Sequence, residues 1–423
     1  MTILERRRLR EFVPTAAAAM QSLPRLTTAP VDALVDLVLD GHEPWWRRRA
    51  CARALVGRLP DPRAPALLAC VQDPAVTAEV RESILAVLAV PDRPHAPPLL
   101  AWLRAQDGVE QPYGLDVAVL QARAALADPA AAPLLSELAA DPWTHRRTAG
   151  ERALDELINT CGIFDVLAAL GADSPHALAF LSDRLEHRLL GVRLLHRAGA
   201  DIKPALADPS GVIAHTAAEL LATTRGDDDE LRSLAANQRP GHLWAMIVLH
   251  RRGHDVRPLW TAAGSPRVPL PNVPPDVRAA IVRTYAPGER RTDPRWLLEA
   301  ACEPPGPAVD EEAQLRHVAE LLRAADLDPR PPVSAGDYFQ QGAGTYHHID
   351  TSAGTLTLST LGPFFHTDGT DGADPPTIPA LQAAGFRHID PKLAGTTVDG
   401  LHVYFFGNRD PLTVGQLLFY WQD

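Results

Sequence analysis

Four cysteines in 423 residues (Cys51, Cys70, Cys161 and Cys302) lie far apart and form no Cys-x-x-Cys pair. That spacing excludes a disulfide framework and the thiolate zinc patterns, and it reads as buried thiols in a reduced, cytoplasmic chain. Lysine is nearly missing: Lys203 and Lys392 are two of 41 basic residues. With Ala, Leu and Pro equally inflated, this skew reads as codon bias of a bacterial type, so an arginine run carries less meaning than usual. No stretch of about 18 apolar residues runs free of charge or proline, which excludes a membrane span. The opening MTILERRRLREFVP has no apolar segment after it, so no secretory signal is expected. Positive net charge is also absent. At -11 the chain lacks the field for generic nucleic-acid or acidic-membrane binding. No cofactor is expected.

What is present is apolar content, 46%, and internal repetition. A short break after an apolar segment recurs at Asp73, Asp107, Asp141, Asp173 and Asp208, at spacings of 34, 34, 32 and 35. A second marker sits mid-repeat, in LPDPRAPALL (59–68), VPDRPHAPPLL (90–100) and LADPAAAPLL (126–135). It returns as LLHRAGADIKPAL (194–206) and VLHRRGHDVRPLW (248–260). Gly199 and Gly253 suit the left-handed residue that ends a helix, and Asp201 and Asp255 can accept the orphan N–H groups of the next. Each repeat is therefore two amphipathic helices joined by a tight turn, and stacking on neighbours buries their apolar stripes.

The stretch WWRRRACARALVGRLPDPRAPALLACVQDPAVTAEVRESILAVLAV resembles HEAT repeats of the phycobilisome-lyase-like type. Arg48, Cys51, Ala54 and Leu55 match that family's first helix, and Asp61, Pro65, Leu67 and Leu68 its turn and second helix. The resemblance covers about residues 40–263 and implies an α-solenoid over residues 1–326, degraded after 264. It also implies a binding scaffold whose second helices (63–72, 95–106, 130–140) line a concave face. Arg63, Gln72, Arg104 and Glu137 are the contact residues expected there. Trp45, projecting about 100° from Trp46, is a repeat-interface residue or a partner anchor. One enzymatic branch of similar repeats, deoxyhypusine hydroxylase, holds di-iron through several His-Glu pairs, whereas here His42-Glu43 is the only such dipeptide.

DLDPRPPVSAG (326–336) marks a boundary, with residues 327–336 as linker. Beyond it arginine nearly vanishes and alternation appears in TLTLSTL (355–361), LHVYFF (401–406) and VGQLLFYW (414–421). These read as strands, and TIPALQAAGF (377–386) as a short helix, giving a small α+β domain over 337–423. Three His-x-Asp pairs fall here: His348-Asp350, His366-Asp368 and His388-Asp390. His348, Asp350 and downstream His402 have the order of a two-His, one-carboxylate metal site, with Arg409 available for an acidic co-substrate. A catalytic use of His348, Asp350, His388, Asp390 and His402 is therefore the alternative to a scaffold. The aspartates of FFHTDGTDGADPP (Asp368, Asp371 and Asp374) are wrongly spaced for an EF-hand calcium loop and read as a turn. A third reading, nucleic-acid binding through Arg47, Arg48 and Arg49, opposes the net charge. A protein partner is the expected one.

Overall fold

A computed structural model describes residues 9–423 except 22, 225, 287–289, 304–308, 341, 368–375, 404–410 and 423. The chain is mainly helical, with a small sheet region near the C-terminus. It divides into two compact units, Met1–Gly191 and Val192–Asp423, and the division falls inside helix Leu185–Arg197.

In the first unit the helices come in pairs. Helix Trp45–Arg53 packs on Val31–Leu39 and on Ala78–Leu88. Ala78–Leu88 packs in turn on Ala64–Gln72 and Leu115–Ala125, and the last of these on Thr144–Cys161. First helices thus follow one another, and Leu55, Leu67, Ile84, Leu88, Leu99 and Leu115 fill one continuous core. Where Thr144–Cys161 crosses Ala132–Ala139 the backbones approach so closely that a Cβ on Gly150 would lie 2.5 Å from Ala139 N.

The repeat markers have a physical cause. Asp73, Asp141 and Asp208 each accept the backbone N–H two residues on, from Ala75 at 2.9 Å, Trp143 at 2.7 Å and Ser210 at 2.8 Å. These are Asx turns, which end one helix and aim the next. The mid-repeat turns behave as their residues dictate. Gly199 and Gly253 have φ of 69° and 88°. Asp201 accepts from Lys203 N and Asp255 from Arg257 N. A second device ties successive pairs: buried Arg48 donates from Nε to Val38 O at 2.8 Å, and buried Arg81 to Val71 O at 2.7 Å. Both carbonyls lie in the last turn of a helix, where no intrahelical donor reaches and the negative dipole end favours a cation.

In the second unit helices Gly211–Thr223 and Asp228–Ala236 pack on His242–Arg251, which packs on Pro294–Cys302. Helices Pro275–Tyr285, Pro294–Cys302 and Glu311–Ala324 share their cores with the sheet region. The sheet runs in the order Val333–Ser334, Tyr346–Thr351, Gly354–Ser359, Phe364–Thr367, Arg387–His388, antiparallel except for the last, parallel pair. The alternation in TLTLS is expressed: Leu356 and Leu358, with Ile349 and Phe365, face Val318, Leu322, Ile378 and Leu381. Trp296, Ile281 and Val277 pack with Phe364, Ile389, Val398 and Leu417. The texture change at 326–336 therefore lies inside one compact unit.

One strand expected from the sequence is a helix. Residues Val414–Leu418 are helical because Thr413 and Gln416 form a reciprocal capping box, which overrides the apolar run that resembles a strand. Helix Thr377–Ala383 forms as its sequence predicts. Residues 401–403 are irregular, while Tyr404, Phe405 and Phe406 lie outside the described residues, as do Asp368, Asp371, Asp374 and Arg409.

Candidate binding groove

The C-terminal histidines and aspartates are placed by the sheet register. His348 pairs with Thr357, and Thr357 with His366, so the two histidines share a face two strands apart, about 9–10 Å by strand spacing. The His348 ring lies 4.3 Å from Tyr338 and 5.1 Å from Tyr346. Exposed Asp350 accepts from Thr355 Oγ1 at 2.9 Å. His366 bonds through Nδ1 to Ile389 O at 3.0 Å and stacks on His388, centroids 6.4 Å apart. Asp390 caps helix Pro391–Ala394 by accepting from Leu393 N. His402 donates its backbone N–H to Thr292 Oγ1. Among the described residues no three His, Cys, Asp or Glu side chains are placed to hold one metal ion. His348, Asp350 and His402 therefore form no common ligand set.

The contact residues expected on the helices are partly occupied. Arg63 pairs with Asp36, Arg104 with the buried Asp128 at 2.7 Å, and Glu137 with Arg184 at 2.7 Å. Gln72 is exposed. Trp45 is 41% exposed, whereas Trp46 packs against the core with Arg47 over its ring. The arginine triplet is similarly used: Arg47 bonds Glu43 and Val13 O, and Arg48 is buried on Val38 O.

A cleft of about 320 Å³ lies instead across the first helices, lined among others by Arg53, Glu82, Tyr113, Gln121, His145 and Arg146. An adjoining depression of about 290 Å³ shares Glu82, Ala86, Ala118 and Gln121 with it, so the two form one groove with an alanine floor. Tyr113 Oη and His145 Nε2 are hydrogen-bonded at 2.5 Å, and Trp143 stands beside His145 with centroids 6.3 Å apart. Tyr113 is 75% exposed and Trp143 42%.

The electrostatics are specific. Arg146 is held between Asp116 at 2.7 Å and Asp141 at 2.8 Å. Burial tends to raise the Asp116 carboxyl, but bonds from Arg146 and nearby backbone hold it below its ordinary value. Glu82 goes the other way. Burial raises it, Glu79 and Asp116 add to the rise, and Arg49 and Arg53 oppose it without reversing it. Burial and neighbouring Arg49 depress Arg53.

Sequence reasoning placed contacts on the second helices and missed Glu82, Tyr113 and His145. One sign was available: Tyr113 and Trp143 stand in the turns before two first helices, outside the helical periodicity that marks core aromatics. No helix among the described residues is long and apolar enough to cross a membrane. The chain matches no protein-family model, no curated protein and no solved structure.

Proposed function

We propose that the chain is a HEAT-like helical scaffold that binds a protein partner through the groove across its first helices. The carrying observation is the distribution of exposed apolar side chains. Among the described residues, eight of the eleven large ones fall between Leu23 and Leu181; Tyr113 lines the groove and Trp143 stands beside its His145. Exposed aromatic groups beside a mixed apolar and charged cleft suit the anchors that dominate protein interfaces. Supporting stacked helix pairs within Met1–Gly191 are the first-helix packing, the Asx turns at Asp73 and Asp141 and the repeated arginine ties. The other three exposed residues, Val333, Tyr338 and Phe339, give the C-terminal region a second recognition surface. Four free cysteines fit a reducing, cytoplasmic setting.

The test is site-specific photocrosslinking in cells of the full chain, with the reactive residue at Gln121 or, for comparison, at exposed Arg232. A defined protein adduct is expected from position 121 and not from 232, and it should fade when Tyr113→Ala and Trp143→Ala are combined. Identical adducts from both positions, or none from position 121, would sink the scaffold reading.

A further inference from the structure

We infer that the cleft beside Glu82, Tyr113 and Gly114 receives a basic side chain, arginine or lysine, projecting from the protein partner; this rests on the scaffold reading above. Three observations converge on it.

The first is the Glu82 carboxylate, which lines the cleft half-buried, with no hydrogen bond or ion pair to any described residue. Its position is built. Glu82 Oε1 lies 2.5 Å from where a Cβ on residue 114 would be, so the carboxylate rests against the bare backbone of Gly114. Gly114 also has a φ of 87°, which suits glycine.

The second is the charge balance. The groups acting on Glu82 or bound to its neighbours are Arg49, Arg53, Glu79, Asp116, Arg146 and Asp141. With Glu82 itself, three arginines face four carboxylates. Arg146 is already shared by Asp116 and Asp141, so it is not available to Glu82. The excess over this group is one negative charge, and burial penalises the charge on Glu82. A ligand cation removes that excess, and a hydroxyl or amide does not.

The third is the wall. Tyr113 and His145 line the same cleft as the carboxylate, and Trp143 stands beside His145. Aromatic faces attract a guanidinium or ammonium and leave a neutral amide indifferent. A guanidinium adds two parallel bonds to the carboxylate and planar stacking on the tyrosine. The alanine floor accommodates the aliphatic stem.

The experiment uses the full-length protein and immobilised dodecapeptide pools with a fixed central Arg, Lys, Gln or Glu and random flanks. The Arg and Lys pools should be retained over the Gln pool, the Glu pool least, with retention falling as salt rises. Glu82→Gln should weaken retention by about tenfold or more, the loss expected for a charge-assisted hydrogen bond. Its melting temperature should hold or rise, because the buried charge it removes has no internal partner. Tyr113→Ala, at an exposed turn, should weaken the same pools without unfolding the protein. Equal retention of Gln or Glu pools, retention of none, or indifference to Glu82→Gln overturns the inference. A protein adduct at position 121 without basic selectivity sinks this inference and leaves the scaffold standing; absence of any adduct sinks the scaffold itself.

Discussion

The two units relieve buried backbone carbonyls with partly shared donors, arginines in both and aromatic groups as well in the second. In Met1–Gly191 the donors are arginines that recur with the repeat: Arg48 on Val38 O and Arg81 on Val71 O. Buried Asp128 receives two more, Arg104 and Arg123. In Val192–Asp423 the ten-residue spacing recurs once, with Arg278 donating to Val268 O at 3.0 Å. That arginine is also locked to Glu299 and lies over Trp296 at 4.8 Å. Elsewhere in the second unit aromatic donors on helices reach carbonyls of the C-terminal segments: Trp296 Nε1 to Asp399 O and Tyr285 Oη to Leu417 O. The repeated tie spreads the load over two successive helix pairs, whereas these aromatic ties join helices and sheet at single points.

That contrast is broken most severely at Trp296, which is fully buried and shared between helix and sheet cores. Trp296→Ala should cost about 4 kcal/mol through cavity formation and a stranded Asp399 carbonyl. Hydrogen exchange should show protection lost at residues 397–398 and 414–418 as well as in helix Pro294–Cys302. If 397–398 and 414–418 keep their protection, the helices and the sheet do not depend on one another as described.

Within the first unit the equivalent weak point is Asp128. Asp128→Ala leaves Arg123, 1% exposed, with half its partners, and should cost about 3 kcal/mol in denaturant unfolding. Burial raises this carboxyl, but the Arg104 and Arg123 bonds outweigh it and hold it below its ordinary value. A depressed folded value means the stabilisation is complete above the unfolded value, about 3.9, and is lost as pH falls through the folded one. Wild type should therefore lose stability below about pH 4 more steeply than Asp128→Ala does. Parallel pH curves would show that Asp128 is not the acid-sensitive group.

The first unit was the more legible in sequence because its structure is local. Asp73 and Asp141 bond residues two positions away, so the residue types announce the turns. The arginine ties were less visible, since Val38 and Arg48 meet only when one pair stacks on the next. Which helix face carries the groove depends on that stacking too, so Glu82 and Tyr113 went unnoticed while Arg104, already committed to Asp128, looked available. In the second unit the strand TLTLS follows from alternation, yet Val414–Leu418 reads as a strand because a five-residue segment carries little period of its own. The capping pair Thr413 and Gln416 decided it. No local pattern tells that Trp296 will pack against Val398 or Leu417, more than a hundred residues later.

The smallest effect sharpens the comparison most. Leu417 O lies in the last turn of helix Val414–Leu418, the same orphan position that Val38 O and Val71 O occupy in the first unit, and Tyr285 supplies its donor at 2.6 Å. Burial pushes the phenol above its ordinary value, so it remains a proton donor through the neutral range. Tyr285→Phe keeps the buried ring and removes only the hydroxyl, so it isolates the capping bond from packing. The cost should be about 1–1.5 kcal/mol, that of one neutral hydrogen bond. Arg81→Ala in the first unit should cost more, because a charged donor and its packing are lost together. Urea unfolding of both variants checks the order. If Tyr285→Phe proves as costly as Arg81→Ala, the carbonyl at Leu417 has no other source of relief. The hydroxyls of Ser359 and Thr345, which donate to neighbouring Leu418 O at 2.8 and 3.1 Å, would then be fixed caps that cannot shift to cover it.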